Sequence, residues 1–373
     1  MASSKYSAAL IGEPGMMVEV IDLLKRADFI IDVIPTRPYF FWQKLNNCSV
    51  AKDSSSLINQ ARAAVHNRYD LISILDDKTL RILHSSSLTE REKEVLLPVV
   101  SLDNSSHIGS KIELSRLLEK CGILTPSYFI ANNLDELASG SERLGYPILV
   151  KIDASAGGLG VFECNGVNDL LRLQNKTKFD YPLLIQKKIT GEEFDLSGFF
   201  QQGKLIHFSF SKVDVVVRKF GPASVRTYYQ MNINHEPTVN ELRAIGRKLG
   251  INGFANIACI VSKDDLVRYY FEIDLRPTLW VNYSKYIGSD PAMSIRNYFY
   301  DKSVYKSPVI SNLDFSGSLT IPHRYRLSAL DLLLNKFGVW KFMNKVDIPY
   351  LLIRNTYRGF RFFKNLIKKF AST

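Results

Sequence analysis

Acidic and basic side chains alternate along one short predicted strand in the second half of the chain. The run FEIDLRP places Glu272, Asp274 and Arg276 two residues apart, so their side chains leave a strand from the same face. Two carboxylates and a guanidinium on one face suit a divalent cation that bridges phosphate groups. A solvated outer face is the alternative, but the apolar residues between the charged ones favour a strand that packs within a core.

A lysine and a glycine-rich segment follow another apolar strand. The strand YPILVKI has Lys151 near its end, and Gly157, Gly158 and Gly160 come shortly afterwards. Glycine lets backbone N–H groups approach phosphates closely, and a lysine can pair with a phosphate as a point charge. The same glycines also suit an ordinary hairpin turn, so this segment alone leaves both interpretations open.

Two further polar segments have residue types that suit a nucleotide or its co-substrate. Residues 185–194 run from an apolar strand into a Thr-Gly turn, which predicts a hinge whose backbone reaches an adenine edge. Arg218, Lys219 and Arg226 flank a Gly-Pro turn, and such a basic segment suits a carboxylate substrate. A solvated basic loop explains this second segment equally well.

The elements that must position these residues begin with alternating strands and helices. Apolar runs at 8–11, 29–34, 69–75 and 97–102 predict strands, and residues 16–25 have apolar side chains at helical spacing. Strands that alternate with helices favour a βαβ domain. The Gly-Glu-Pro-Gly turn at 12–15 matches a dinucleotide-binding glycine motif poorly, so we place no dinucleotide there.

From about residue 104 the pattern changes to mainly strands. Capping residues and helical spacing predict helices at 111–121, 133–145 and 238–250. Single strands are predicted at 146–152, 161–164 and 182–187, and antiparallel pairs at 193–200 with 205–211 and at 254–261 with 266–274. This arrangement favours an α+β domain.

The bulk composition is typical of a cytoplasmic globular protein. The chain has 373 residues, 46% hydrophobic and 23% charged, which is long enough for roughly two or three packed units. Its four cysteines form no CxxC pair and its six histidines no HExxH spacing, so a zinc or redox motif is unsupported. The sequence shows neither a signal-peptide pattern nor an apolar run of membrane-spanning length, and we expect a cytoplasmic protein.

The net charge of +11 is concentrated toward the C-terminus. No acidic residue follows Asp347, and basic residues alternate with aromatic and aliphatic ones from Tyr350 to Phe370. Such a segment can lie on an anionic membrane surface, dock as a helix on the main domain, or contact a partner. Because this segment carries much of the charge, we do not expect the whole protein to bind nucleic acid.

Together, and in this order, the segments resemble the ATP-grasp superfamily, in particular its carbamoyl-phosphate-synthetase-like and biotin-carboxylase-like branch. The matching segments are SKIELSRLLEKCGILTPSY, YPILVKIDASAGGLGV, LLIQKKITGEEFDLSGFF and FANIACIVSKDDLVRYYFEIDLRPT. The resemblance covers roughly residues 104–290. It implies an N-terminal α/β domain (1–104) of the kind that precedes an ATP-grasp domain, an ATP-grasp domain (105–310), and a basic helical extension (311–373).

The resemblance implies that ATP is held by two phosphate-binding lysines, a closing glycine loop, and contacts to adenine and ribose. Lys111 and Lys151 would contact the phosphates, and Gly157, Gly158 and Gly160 would form the loop. Gln186, Lys187 and Ile189 would lie at the adenine, and Glu193 would bind the ribose. It also implies that Glu272 and Asp274 bind Mg²⁺ and that Arg276 holds the transferred phosphoryl group or the acyl phosphate. Arg226 is expected to act with Arg276 at the substrate end of the cleft.

The chain departs from the family pattern at three of these positions. Gln186 stands where an acid is common, although an amide can still accept a hydrogen bond from the adenine amine. Asp274 stands where Asn is usual. Ala258 stands where the first metal-binding acid is expected, so either Asp274 compensates or the metal site is degraded.

The resemblance implies a C–N bond-forming ligase. ATP and Mg²⁺ would convert a small-molecule carboxylate to an acyl phosphate, and an amine would displace phosphate to give an amide and ADP. Ala258 favours a different interpretation, a nucleotide-binding protein with little turnover. The basic tail favours a third, a membrane-associated binding module.

Overall fold

The computed structural model of the chain describes residues 5–39, 41, 44–230, 236–301 and 317–323. These residues form one parallel sheet near the N-terminus, a small antiparallel sheet and a large antiparallel sheet. The segment from Tyr350 to Phe370 lies outside the described residues, so its helix remains a prediction. In the part of the chain that the structure describes, no helix is both long and apolar enough to cross a membrane.

The N-terminal sheet is the βαβ unit that the alternating pattern predicts. Its strands are β1 (Ser7–Gly12), β2 (Ile30–Pro35), β3 (Asn47–Cys48) and β4 (Leu71–Ile74), all parallel and in the order β3-β2-β1-β4. Helices α1 (Pro14–Arg26) and α2 (Ser54–His66) connect these strands, and α3 (Asp77–His84) and α4 (Glu90–Leu96) follow them. A reciprocal capping box between Asp53 and Ser56 begins α2.

The prediction of a strand at 97–102 is wrong. This segment makes one isolated bridge, between Val99 and Ile251, and then enters a short 3₁₀ turn at Leu102–Asn104. Pro98 has no backbone N–H to extend a ladder, and the Ser101 side chain caps the turn that follows. The apolar character that suggested a strand reflects burial, because Leu97 and Val99 are 1% exposed.

The small sheet carries the lysine and the glycine-rich segment. After α5 (Lys111–Lys120), its elements are β5 (Tyr128–Ala131), α6 (Leu134–Leu144), β6 (Ile148–Ile152), β7 (Val161–Cys164), α7 (Val167–Lys176) and β8 (Leu183–Lys187). The strand order is β5-β8-β6-β7, and every pairing is antiparallel. The glycine-rich segment is therefore the connection between β6 and β7, as predicted.

The large sheet carries the acidic strand. Its elements are β9 (Gly191–Gln201), β10 (Lys204–Val216), β11 (Ala223–Tyr229), α8 (Glu236–Lys248), β12 (Gly253–Ser262), β13 (Arg268–Asp274) and β14 (Ser318–Pro322), with α9 (Pro291–Tyr300) after β13. The order is β13-β12-β9-β10-β11-β14. The predicted pairs β9–β10 and β12–β13 are both present. β14, which pairs with β11, had no counterpart in the sequence prediction.

Two cores join the N-terminal sheet to the large sheet. Ala9 and Ile11 of β1 belong to a core that includes Ile257 of β12, whereas Ala8 and Leu10 belong to one that includes Phe254. This follows from the two-residue period of strands, since successive side chains point to opposite faces. The small sheet has its own core around Ile148, Val150 and Ile185, so it packs separately over the large sheet.

Candidate active site

A cleft of about 280 Å³ is lined by residues of both antiparallel sheets. The cleft brings together all the residues that the sequence predicted for the site except one: Lys111, Lys151, Gly157, Gly158, Gln186, Lys187, Ile189, Glu193, Arg226, Glu272, Asp274 and Arg276. Gly160 is the exception. Its carbonyl accepts a hydrogen bond from the backbone N–H of Ile152 at 2.8 Å, so it closes the turn between β6 and β7.

Polar side chains lie in two cross-strand rows on one face of the neighbouring strands β9, β12 and β13. In the first row, Ala258 of β12 pairs with Asp195 on β9 and with Glu272 on β13. In the second row, Asn256 of β12 pairs with Asp274 on β13. Directly paired residues share a face of an antiparallel sheet, so Ala258 lies between two acids, and the predicted first metal-binding position is a gap in an acidic row.

Burial disfavours the charged forms of the acids on this face. Burial raises the pKa of Glu272 and raises the pKa of Asp274 well above its usual range, although Lys111 and Arg276 oppose these shifts. Glu193 is exposed as a residue, but burial of its carboxyl group and the nearby charge of Asp195 raise its pKa to about 7. A cation bound between these carboxylates would relieve both effects.

Lys151 is a buried cation whose partner is an amide. It is 5% exposed, and its Nζ donates to Oε1 of Gln186 at 2.6 Å. Burial lowers the pKa of Lys151 to about 8. The Nε2 of Gln186 in turn lies 3.4 Å from the hydroxyl oxygen of Ser115. The Gln186 side chain therefore contacts Lys151 in this structure, rather than being free for an adenine edge.

Lys187 and Ile189, which follow Gln186, both line the cleft. The Nζ of Lys187 donates to the backbone carbonyls of Gly145 and Tyr146, at 2.9 and 3.1 Å, so its ammonium group is already bound. Ile189 lines the cleft with Leu149 and Ile260. These apolar side chains provide a surface that suits the faces of an adenine ring.

Lys111 holds the base of the glycine-rich loop. Its Nζ donates to the backbone carbonyls of Asp153 and Ser155 and lies 3.2 Å from the Ser155 hydroxyl. Burial lowers the pKa of Lys111, and Glu272 is the strongest charge that opposes this shift. The ammonium group thus lies between the loop and the acidic face.

The tip of the loop contacts the basic segment between β10 and β11. Nη2 of Arg218 donates to the carbonyl of Gly157 at 2.6 Å. A Cβ added to Gly158 would lie 1.7 Å from the carbonyl oxygen of Phe220, and Gly158 has a φ of +75°. Only glycine combines that backbone angle with such a close approach.

Arg276 connects the acidic strand to the N-terminal unit. Its Nε and Nη2 form a bidentate ion pair with the Asp77 carboxylate of α3, at 2.7 and 2.8 Å. Its Nη2 also lies 3.0 Å from a carboxylate oxygen of Asp274. Asp77 was not predicted as a partner of Arg276, since the two residues are separated by 199 positions.

Arg226 of β11 is buried and lines the cleft. Its Nη2 pairs with Asp195, and its guanidinium lies 4.8 Å from the centre of the Trp280 ring. Asp195 was missed by the sequence interpretation, although Glu193 and Asp195 are two residues apart on one strand, the same signal that identified Glu272 and Asp274.

The chemistry of the donor set fits a magnesium nucleotide. Glu272 and Asp274 offer the hard oxygen ligands that Mg²⁺ prefers, and Mg²⁺ commonly takes its remaining ligands from water and phosphates. Within the described residues, no group of three His, Cys, Asp or Glu side chains is arranged to hold a metal ion alone. Lys111 and Lys151 supply positive charge beside these acids.

Comparisons of sequence find distant relatives. No family model matches the chain. The carbamoyl phosphate synthase large chain of Lachnoclostridium phytofermentans is 24% identical over 217 residues, which is 56% of this chain and 20% of that protein. The chain thus matches about a fifth of the length of this curated relative.

Comparisons of structure find the same architecture in several solved proteins. An L-amino acid ligase from Bacillus licheniformis aligns with a TM-score of 0.59 at 18% identity, covering 79% of this chain and 74% of the other. The biotin carboxylase domain of a Hydrogenobacter thermophilus 2-oxoglutarate carboxylase, solved with MgADP and bicarbonate, aligns with a TM-score of 0.61 at 14% identity, covering 85% and 74%. The shared fold confirms the fold that the sequence predicted.

Proposed function

We propose that this chain, which has the ATP-grasp fold, is an ATP-dependent carboxylate–amine ligase. A small-molecule carboxylate would take the γ-phosphoryl group of ATP to form an acyl phosphate, and an amine would displace phosphate to give an amide. One observation carries the proposal: two lysines, two carboxylates of β13 and two arginines line one cleft beneath a glycine-rich loop. The proteins of similar fold that are named as ligases or as MgADP complexes support it.

Each group has a role that follows from its place. Lys111 and Lys151 would bind phosphate oxygens, and Ile189 with Leu149 would contact adenine. Glu272 and Asp274 would hold Mg²⁺, which when bound neutralises charge on the phosphates. Arg276 would bind the transferred group, and the loop at 155–160 would exclude water from the acyl phosphate.

The catalytic contribution of the protein is positioning and charge neutralisation. Phosphoryl transfer requires little covalent chemistry from the protein, and holding acid, nucleotide and amine together removes much of the entropic barrier. The described cleft contains charged groups for the first two reactants.

The test is ADP formation by the full chain with MgATP and panels of carboxylates and amines. We expect ADP and phosphate only when an acid is present, and amide only when an amine is added. The matched control is Arg172→Lys, because Arg172 is an exposed residue of α7. ADP formation that does not depend on any acid would contradict the ligase proposal.

A second candidate function is nucleotide binding with little turnover. The observation that favours it is Ala258, which lies between Asp195 and Glu272 where the resemblance implies an acid. Tight MgATP binding without ADP formation across the whole panel would support this candidate. A cytoplasmic location and an anionic-membrane contact from Tyr350 to Phe370 remain predictions from the sequence.

A further inference from the structure

Three buried hydrogen-bond donors at one end of the cleft have no partner among the described residues. They are Nε and Nη1 of Arg226 and Nε1 of Trp280. Arg226 is 5% exposed and Trp280 is 1% exposed, and both line the cleft. Buried polar groups are paired in nearly all native structures, so unpaired donors on residues that line a cleft indicate the position of a ligand.

The Arg226 guanidinium is fixed in place by its other contacts. Its Nη2 pairs with Asp195, whose second oxygen accepts from Nδ2 of Asn256 at 2.9 Å. The Asn256 side chain is also 3.1 Å from the Ser197 hydroxyl. This network orients Arg226 before any ligand binds, which lowers the entropic cost of recognition.

All three unpaired atoms donate, so the ligand must accept. Arginine and the indole N–H have no acceptor function, and a guanidinium binds carboxylates strongly. The Asp195 carboxylate occupies only one of the two Nη atoms, which leaves the other Nη and the Nε for an anion. The chemistry of the occupant is therefore that of an anion, either a carboxylate or a phosphate group.

Apolar residues adjoin these two residues in the same cleft. Met16, Pro222, Ala223, Leu279 and the Trp280 ring line it together with Arg226, and Ala223 and Trp280 belong to one buried cluster. Trp280 packs against the buried rings of Tyr228 and Tyr283, so its position is rigid. An anion that binds Arg226 can place an apolar substituent against these side chains, where a second charge would be poorly solvated.

We propose that Arg226 and Trp280 form the carboxylate subsite, and that it takes a monocarboxylic acid with an apolar substituent and excludes dicarboxylic acids. The proposal rests on the proposed function only in treating the acid as a substrate. Binding of the acid requires no turnover, so the subsite can be tested separately from the ligase activity.

The experiment is calorimetry on the full chain with phenylacetate and with succinate, each with and without Mg²⁺ and a non-hydrolysable ATP analogue. We expect phenylacetate to bind about tenfold or more tightly than succinate. Arg226→Lys should weaken phenylacetate about 10- to 100-fold and leave the affinity for the ATP analogue unchanged. Trp280→Phe keeps an aromatic ring, although a smaller one, and removes the indole N–H, and should weaken phenylacetate about two- to tenfold.

The control is Arg172→Lys, which should bind both acids as the parent does, and thermal unfolding confirms that each variant is folded. Equal binding of succinate and phenylacetate would overturn the proposal. So would phenylacetate binding that Arg226→Lys does not change. A loss of ATP-analogue affinity in Arg226→Lys as large as the loss for phenylacetate would assign Arg226 to the nucleotide phosphates instead.

Turnover separates the two proposals. If dicarboxylic acids alone support ADP formation, the ligase function stands and this subsite is wrong. If phenylacetate binds through Arg226 but no acid supports ADP formation, the subsite stands and the ligase function is wrong.

Discussion

Lys151 is a buried lysine whose charge a nucleotide phosphate would stabilise. Its present partner is the neutral Gln186 side chain. We predict that Lys151→Met weakens ATP binding by about 1.5–3 kcal/mol, the value of a charge-assisted hydrogen bond. Calorimetry measures the affinity, and Lys176→Met, at an exposed position on α7, is the control. Equal ATP affinity in Lys151→Met and the parent would remove this lysine from the site.

The lowered pKa of Lys151 also predicts a pH dependence of ATP binding. With a pKa of about 8, the ammonium form falls from about nine-tenths of the population at pH 7 to about one-tenth at pH 9. Because ATP favours the charged form, affinity should fall as the pH rises through 8, and binding at pH 9 should be accompanied by proton uptake. Calorimetry in buffers of different ionisation enthalpy measures that uptake. The fall in ATP affinity around pH 8 should disappear in Lys151→Met. A fall of the same size in that variant would assign the titration to another group.

The gap at Ala258 predicts an unusual magnesium requirement. Glu272 and Asp274 on one strand can hold a single Mg²⁺, with water in place of the missing ligand. Glu272→Ala should abolish ADP formation, whereas Asp274→Asn should be milder because Asn is usual at this position in the superfamily that the sequence resembles. Ala258→Glu should lower the magnesium concentration at half-maximal ADP formation.

Thermal unfolding gives a second measurement of the same site. Ala258→Glu would place three acids in one row across β9, β12 and β13, so this variant should melt lower than the parent without Mg²⁺ and recover with it. If magnesium does not restore its stability, Ala258 is not beside the metal. If Glu272→Ala forms ADP as the parent does, the metal assignment is wrong.

Alternation along strands explains which site residues could be predicted. Glu272, Asp274 and Arg276 follow a two-residue period, and the structure places all three at the cleft. Asp195 obeys the same period with Glu193 on β9, but the sequence analysis assigned a role to Glu193 alone. The Lys151–Gln186 contact requires the pairing of β6 with β8, which local sequence does not specify.

At the scale of elements, the glycine-rich loop depends on one close approach. A Cβ at Gly158 would collide with the Phe220 carbonyl, whereas one at Gly157 would have Arg218 Nη2 as its nearest atom, at 3.7 Å. We predict that Gly158→Ala opens the loop, speeds amide exchange at 155–160 and weakens ATP binding. Gly157→Ala is the matched control, since it incurs only the cost of a positive φ, about 1 kcal/mol.

Hydrogen exchange followed by mass spectrometry measures this difference. In the parent, exchange of the loop should be fast without nucleotide and slower with it, because ATP adds contacts to those of Lys111 and Arg218. Equal exchange in the two alanine variants would show that the Phe220 contact does not hold the loop. Slow exchange that ATP leaves unchanged would argue against a closing lid.

Element prediction succeeded where the residue pattern and the pairing agree locally. The hairpins β9–β10 and β12–β13 join neighbouring segments of the chain, and both were predicted. β14 was missed because its partner, β11, is distant in sequence. The segment at 97–102 was assigned wrongly because buried loop residues and strand residues are equally apolar over such a short stretch.

At the scale of the whole molecule, the N-terminal unit takes part in the site. Met16 of α1 lines the cleft, and Asp77 of α3 binds Arg276. The shared cores of the N-terminal and large sheets bring these residues to the cleft. Local patterns in the sequence predicted both units but not this contact, because it depends on how two separately encoded surfaces pack.

The Asp77–Arg276 pair yields a prediction about how firmly these units are joined. Their side chains are 25% and 16% exposed, so the pair is largely shielded from water, and removing one charge leaves Arg276 with Asp274 alone. Asp77→Asn should lower the free energy of unfolding by about 1–3 kcal/mol. Asp28→Asn, which breaks the exposed Lys5–Asp28 pair, is the control and should cause no resolvable change. Urea denaturation measures both variants; if they lose the same stability, the Arg276 pair does not hold the N-terminal unit to the acidic strand.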